Sequence, residues 1–217
     1  MKKSLLVAVG AMAAMCGTAQ AENWSGPYVG GAIGSNTRET EWTDLDGDWV
    51  TPGDIASDDD VDATSISAHV GYNWQFGNFV LGAQGGVSYM DLSETEVIFG
   101  DVAVDNSLSF AVDARLNAGY SFGAFLPYVT VGAALSDLEH SWAEEGDTSD
   151  SWADFSNDTA LIYGAGMDYA LSPQWSVGAE YIIYEFGSEV STNPDSYRMD
   201  VETDVESLRL TVNYRLN

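Results

Sequence analysis

Apolar and polar residues alternate with a period of two along most of this chain, the signature of strands that bury one face and wet the other. At the C-terminal end Leu208, Leu210, Val212, Tyr214 and Leu216 share one face, while Arg209, Thr211, Asn213 and Arg215 share the other. The same alternation runs from Ile66 to Phe76, from Phe79 to Tyr89, from Leu108 to Phe122, from Val129 to Leu135, from Leu161 to Tyr169 and from Trp175 to Ile183. A weaker signal over Tyr28 to Gly34 brings the strand count to eight.

The segments between these strands alternate in length. Gly77-Asn78, Gly123-Ala124 and Ser172-Pro173-Gln174 are tight turns, whereas 36–63, 91–107, 137–158 and 186–205 are long connections. An even strand number with alternating short and long connections predicts an all-β fold, an eight-stranded antiparallel up-and-down barrel with four long external loops.

Where charge interrupts the apolar faces indicates which face meets lipid. The apolar parity is clean from Phe79 to Tyr89 before Asp91, from Val129 to Leu135 before Asp137, from Trp175 to Ile183 before Glu185, and from Leu208 to Leu216 after Glu206. Three of these clean runs span roughly 9–11 residues, which matches what a tilted strand needs to cross a bilayer. The opposite parity carries His69, Asp113, Arg115, Asp168, Glu180, Arg209 and Arg215 among many Gly and Ser. An eight-stranded barrel has a lumen just wide enough for side chains, too narrow for the Trp and Tyr of the apolar face. The apolar face is therefore expected outside, against lipid, and those seven polar residues inside, pairing with one another. Trp74, Phe76, Phe79, Phe122, Phe125, Tyr169, Trp175 and Tyr214 crowd the short-turn ends, as an interfacial aromatic girdle would.

Composition narrows this further. The first residues pair Lys2 and Lys3 with an apolar run from Leu5 to Met15 and a small-x-small site at Ala19-Gln20-Ala21. That pattern predicts a secretory signal over 1–21, cleaved after Ala21, and a barrel domain over 22–217. The run-up to Cys16 suits a lipidated cysteine poorly. Beyond residue 21 there is no cysteine and no lysine, and five arginines stand against 34 acids. Such a balance excludes nucleic acid and phosphate-rich partners and favours cations.

The four long connections hold 28 of the 34 acids, so the loops should be acidic. Asp44, Asp46 and Asp48, in Asp44-Leu45-Asp46-Gly47-Asp48, are the best local candidates for a weak divalent-cation site, because hard cations want several carboxylate oxygens together. This is no EF-hand loop: Trp49 stands where the turn glycine belongs and Ile55 where a bidentate Glu is needed. No cofactor is expected beyond such cations, which could bridge to lipopolysaccharide. Trp42, Trp49, Trp142 and Trp152 are placed in these loops, pinning them to one another. The one adjacent His/Ser pair, His140-Ser141, is badly placed to share a base–nucleophile hydrogen bond, so no catalytic residue is assigned.

Gly26-Pro27-Tyr28-Val29-Gly30-Gly31, Leu126-Pro127-Tyr128-Val129-Thr130 and Trp175-Ser176-Val177-Gly178-Ala179-Glu180-Tyr181 resemble the small outer-membrane β-barrel proteins, the porin-like or opacity-like surface antigens. The resemblance spans essentially everything after the signal. It implies an outer-membrane location and the eight-stranded barrel, without one family-wide activity. Such chains usually end on an aromatic residue that addresses the insertion machinery, whereas this one ends Tyr214-Arg215-Leu216-Asn217. The expectation is a monomeric, non-enzymatic barrel in contact with lipid, lipopolysaccharide and, during assembly, the insertion machinery. Its role would be structural or surface-directed, with a narrow low-conductance pore as the alternative.

Overall fold

A computed structural model of the protein describes residues 23–46, 53, 55–57, 61–98, 102–144, 153–156, 159–192 and 198–216. Eight strands form the wall: β1 (Gly26–Asp44), β3 (Val61–Phe76), β4 (Phe79–Ile98), β5 (Val102–Tyr120), β6 (Phe125–Ser136), β9 (Thr159–Ala170), β10 (Trp175–Thr192) and β11 (Arg198–Arg215). Each pairs antiparallel with its neighbours in sequence order, and β1 pairs with β11 from Tyr28↔Arg215 to Asp44↔Met199, which closes the barrel. Short strands β2 (Ile55–Ser57), β7 (Glu139–Glu144) and β8 (Ala153–Ser156) add to its external end. In hydrocarbon every backbone N–H and C=O must find a partner within the protein, and closure leaves no open edge.

The faces fall as the alternation predicts. Ile66, Val70, Leu81, Leu116, Val131, Leu208 and Leu210 point outward and are exposed, while Arg209, Arg115 and Glu180 are turned in and buried. Gly77 and Gly123 take positive φ of 64° and 69° in the tight turns, a conformation that glycine adopts without a Cβ penalty. Around the short-turn rim, cross-strand aromatic pairs are in contact: Phe79 edge-on to Tyr120, and Phe125 with Tyr169 and Trp175 with Tyr214 tilted, with ring centroids 5.1, 4.8 and 4.9 Å apart. These pairs form the expected girdle.

Two expectations need correction. The long external connections are largely strand, not loop. β4 and β5 stay paired out to Ile98↔Val102, and β10 and β11 out to Thr192↔Arg198. Charge on the outward parity, as at Asp91 or Glu206, marks the end of the lipid-facing band rather than the end of the strand. Above that band the outward face meets water, so acids continue the period of two. The second correction concerns Leu108, which shares the apolar parity with Phe110 but is buried inside. A register shift between Tyr89 and Leu92 reverses the alternation there. Asp137 Oδ1 holds the irregular segment by accepting from the amides of Ser109 and Phe110 at 2.9 and 2.7 Å.

The orientation has a direct consequence. Leu210→Arg, on the lipid face at mid-band, should destabilise the folded barrel by about 2–4 kcal/mol. The same substitution at Glu206, above the band, should change it far less. Urea titrations of the folded form in phospholipid vesicles measure both.

Candidate functional site: a layered interior

Inward side chains divide the lumen into four levels. At the short-turn end Trp24, Val80, Leu126 and Ala170 form a small apolar floor. Arg215 belongs to this level, its guanidinium 4.9 Å from the Trp24 ring centre. It donates to the carbonyls of Asn23 and Ser172, the latter at 3.2 Å.

Above the floor lies a polar chamber. Arg115 Nε donates to Asp113 Oδ1 at 2.9 Å, and Arg115 Nη1 lies 3.4 Å from Glu180 Oε2. Tyr128 donates its hydroxyl to Glu180 Oε1 at 2.6 Å, and Tyr28 donates to Gln84 Oε1 at 2.8 Å. His69 Nε2 lies 2.6 Å from Asn213 Oδ1, and Asn213 Nδ2 lies 3.5 Å from Asp168 Oδ1. Room for these groups comes from glycines on the facing strands. Tyr28 lies over Gly71 and Tyr128 over Gly166, their cross-strand partners, where a Cβ would strike the phenol rings.

Arg209 sits at the chamber's upper edge, donating to Ser207 Oγ at 2.9 Å and to the Tyr184 hydroxyl. Ser207 in turn donates to Asn36 Oδ1 at 2.6 Å. Over this level Met90, Leu92, Leu108, Ala111, Leu138, Ile162, Ile182, Phe186 and Val205 fill the lumen with a continuous apolar layer, Tyr184 packing among them.

The external mouth is lined by buried Arg38, Thr40, Trp42, His140 and Thr203. Trp42 meets His140 edge-on at 6.0 Å, so this tryptophan pins the mouth from inside. Burial, with the charge of Arg38 adding to it, lowers the His140 pKa to about 4 and keeps the ring neutral. Of the other loop tryptophans, Trp49 and Trp152 lie outside the described residues, as does the side chain of Trp142.

The seven interior residues expected from the sequence thus all face inward, but they occupy separate levels. Asp113, Arg115, Glu180, His69 and Asp168 share the chamber, Arg209 caps it and Arg215 closes the floor. Of the candidate cation ligands, Asp44 is buried and accepts the Asp46 amide at 3.1 Å. Asp46 is exposed and engaged by Arg198, whose Nη2 and Nε reach its two oxygens at 2.6 and 3.1 Å. The hydrogen bond from Arg198 also holds the Asp46 carboxyl below its usual pKa. Asp48 lies outside the described residues, as do Ala19 and Ala21 of the expected cleavage site. Among the described residues no three His, Cys, Asp or Glu side chains gather in a metal-binding arrangement.

Residues 4–215 match the family described as outer membrane protein beta-barrel domain. The chain belongs to this family, and it is an outer-membrane barrel. It is 28% identical over 169 residues to the 22 kDa outer membrane protein of Rhizobium leguminosarum bv. viciae, a match covering 78% of this chain and 67% of that one. It is 26% identical over 165 residues to the 31 kDa outer-membrane immunogenic protein of Brucella melitensis, covering 67% of this chain and 63% of that one. The chain therefore spans about two thirds of the length of these relatives. Among solved structures, the outer membrane protease OmpT of Escherichia coli superposes with a TM-score of 0.51 at 9% identity, covering 88% of this chain and 96% of that one. That likeness is one of fold.

Sequence reading missed Tyr28, Gln84, Tyr128, Asn213 and the Asn36–Ser207 link. Their parity was legible; their partners depend on register, which no single strand states. Arg38 was missed for another reason, since it falls within what reads as a loop.

Outside the membrane band, Asp204 on β11 is flanked across the ladder by Glu39 on β1 and Glu185 on β10, all on the outward face. Partial burial first, then repulsion from Glu185, Glu202, Glu39 and Glu206, raises its pKa to about 6. A folded-state pKa above the unfolded one means the folded form binds the extra proton. Asp204 should therefore penalise folding above pH 6, and stability should rise as pH falls from 6 towards 4. The unfolding midpoint of Asp204→Asn followed over that range should lack this component. In the chamber, Arg115→Leu strands two buried carboxylates and should cost about 3–5 kcal/mol in the same assay.

Proposed function

We propose that this barrel is a non-conducting, non-enzymatic component of the outer membrane whose working surface is its external rim. The observation carrying this reading is the apolar layer from Met90 to Val205 between the polar chamber and the mouth. A permeation path needs water along its length, and tightly packed Ile162, Ile182 and Leu138, each fully buried, leave none. The chamber beneath has room for about one water molecule.

The rim suits that role. Strands carried beyond the lipid band display Glu39, Glu41, Asp91, Asp105, Asp137, Glu139, Glu185, Glu202 and Glu206 to water. Divalent cations could join these carboxylates to lipopolysaccharide phosphates, a screening interaction that would respond to ionic strength. Surface display fits the relatives, one of which is named an immunogenic outer-membrane protein. The closed hydrogen-bonded wall needs no second subunit to complete its pairing, which supports a monomer.

Purified protein reconstituted into planar bilayers in concentrated KCl should give no stepwise conductance. Reproducible single-channel openings would reject the closed-barrel reading in favour of the narrow pore.

A further inference from the structure

The polar chamber carries more carboxylates than arginines pair with, and several of its lining side chains present oxygens. Asp113 and Glu180 share Arg115. Arg209, opposite Glu180 on the neighbouring strand, is held by Tyr184 and Ser207. The third carboxylate, Asp168, has no ion pair among the described residues; the Asn213 amide lies 3.5 Å from it, a weak bond for a charged group, and the Thr211 hydroxyl stands beside it over Gly178. A carboxylate this deep costs several kcal/mol unless something compensates it.

Other groups around Asp168 are also unpartnered. Gln84 Nε2 and Asn117 Oδ1 are buried with no hydrogen-bond partner, Thr211 Oγ1 has none beyond the Asp168 carboxylate beside it, and Thr211, Gln84, Asn117 and Asp168 line one cavity. Thr211 is 4% exposed and Gln84 8%. Gly178, on the strand between them, creates the space, because a Cβ there would meet both the Asp168 carboxylate and the Thr211 hydroxyl. The void accepts a body the size of one water molecule. Carboxylate, hydroxyl and amide oxygens converging on such a void, beside one unpaired negative charge, form the donor set of a hard monovalent cation.

We propose that the chamber holds a single monovalent cation, of sodium or potassium size, bound by Asp168 and Thr211 with Asn117 completing its oxygen shell. The cation supplies the charge that the chamber's arginines lack. Enclosed between the apolar floor and the apolar layer, it enters as the barrel folds and exchanges slowly afterwards.

The test refolds the full chain from urea into detergent micelles in NaCl, KCl or choline chloride at equal ionic strength. Choline is too large for the void. The readout is the temperature at which the folded band on a gel converts to the unfolded one. Sodium or potassium should raise that temperature saturably over choline, and Asp168→Asn should refold without the dependence. Thr211→Val, which removes one neutral oxygen, should weaken the apparent cation affinity at least tenfold and keeps the test available if Asp168→Asn fails to fold. Crystals grown with thallium(I), a potassium-sized anomalous scatterer, should show one peak beside Asp168. Equal behaviour in choline and sodium would mean the Asp168 carboxyl carries its own proton and would overturn the proposal. A cation dependence that survived Asp168→Asn would place binding on the acidic rim and overturn it equally.

Discussion

Everything in this molecule follows from the requirement that a backbone crossing hydrocarbon keep all its hydrogen bonds within the protein. Strands meet it only as a closed ring, here completed where β1 joins β11. Once the ring closes, side chains have two destinations. Odd and even positions along each strand go to lipid or to lumen, so the outside becomes Leu, Val, Ile and aromatic while the inside collects what lipid rejects. The inside is narrow, and each charged group there must find its partner within a few ångströms.

Narrowness explains the glycines and tyrosines of the chamber. A phenol can turn into the lumen here only where the neighbouring strand presents no side chain, as Tyr28 does over Gly71 and Tyr128 over Gly166. Each ring then delivers a hydroxyl to an acceptor two strands away, Gln84 or Glu180, and so ties the wall together from within. The apolar layer above separates these hydrogen bonds from bulk water, which strengthens them, and in the proposed reading the same layer closes the lumen. Closure and rigidity share one cause, while the rim, beyond the bilayer, is left to carry the protein's charge.

Much of this was legible in the sequence because a barrel wall repeats a local rule. Eight strands, their lipid faces, the tight turns at Gly77 and Gly123, the aromatic girdle and the inward direction of Asp113, Arg115, Asp168, Glu180 and Arg209 all follow from a period of two. Three things did not. Acids at Asp91, Glu185 and Glu206 end the lipid band but not the strands, so paired hairpins read as loops. The shift between Tyr89 and Leu92 reverses parity without any Gly or Pro to announce it, which turned Leu108 inward unnoticed. Register across the barrel, which separates Arg215 from the chamber and brings Tyr128 to Glu180, relates residues 52 apart and leaves no trace in either strand alone.

The orientation of the two faces is tested most directly on β11. Beyond residue 21 the protein has no cysteine, so single cysteines placed in turn from Leu208 to Arg215 can each carry a nitroxide in lipid vesicles. Labels at Leu208, Leu210, Val212 and Tyr214 should collide freely with oxygen dissolved in hydrocarbon, and those at Arg209, Thr211, Asn213 and Arg215 with neither oxygen nor a water-soluble nickel complex. Nickel accessibility at the leucine positions, with oxygen favouring the arginine ones, would mean that the greasy face is not the lipid face, and would contradict the account.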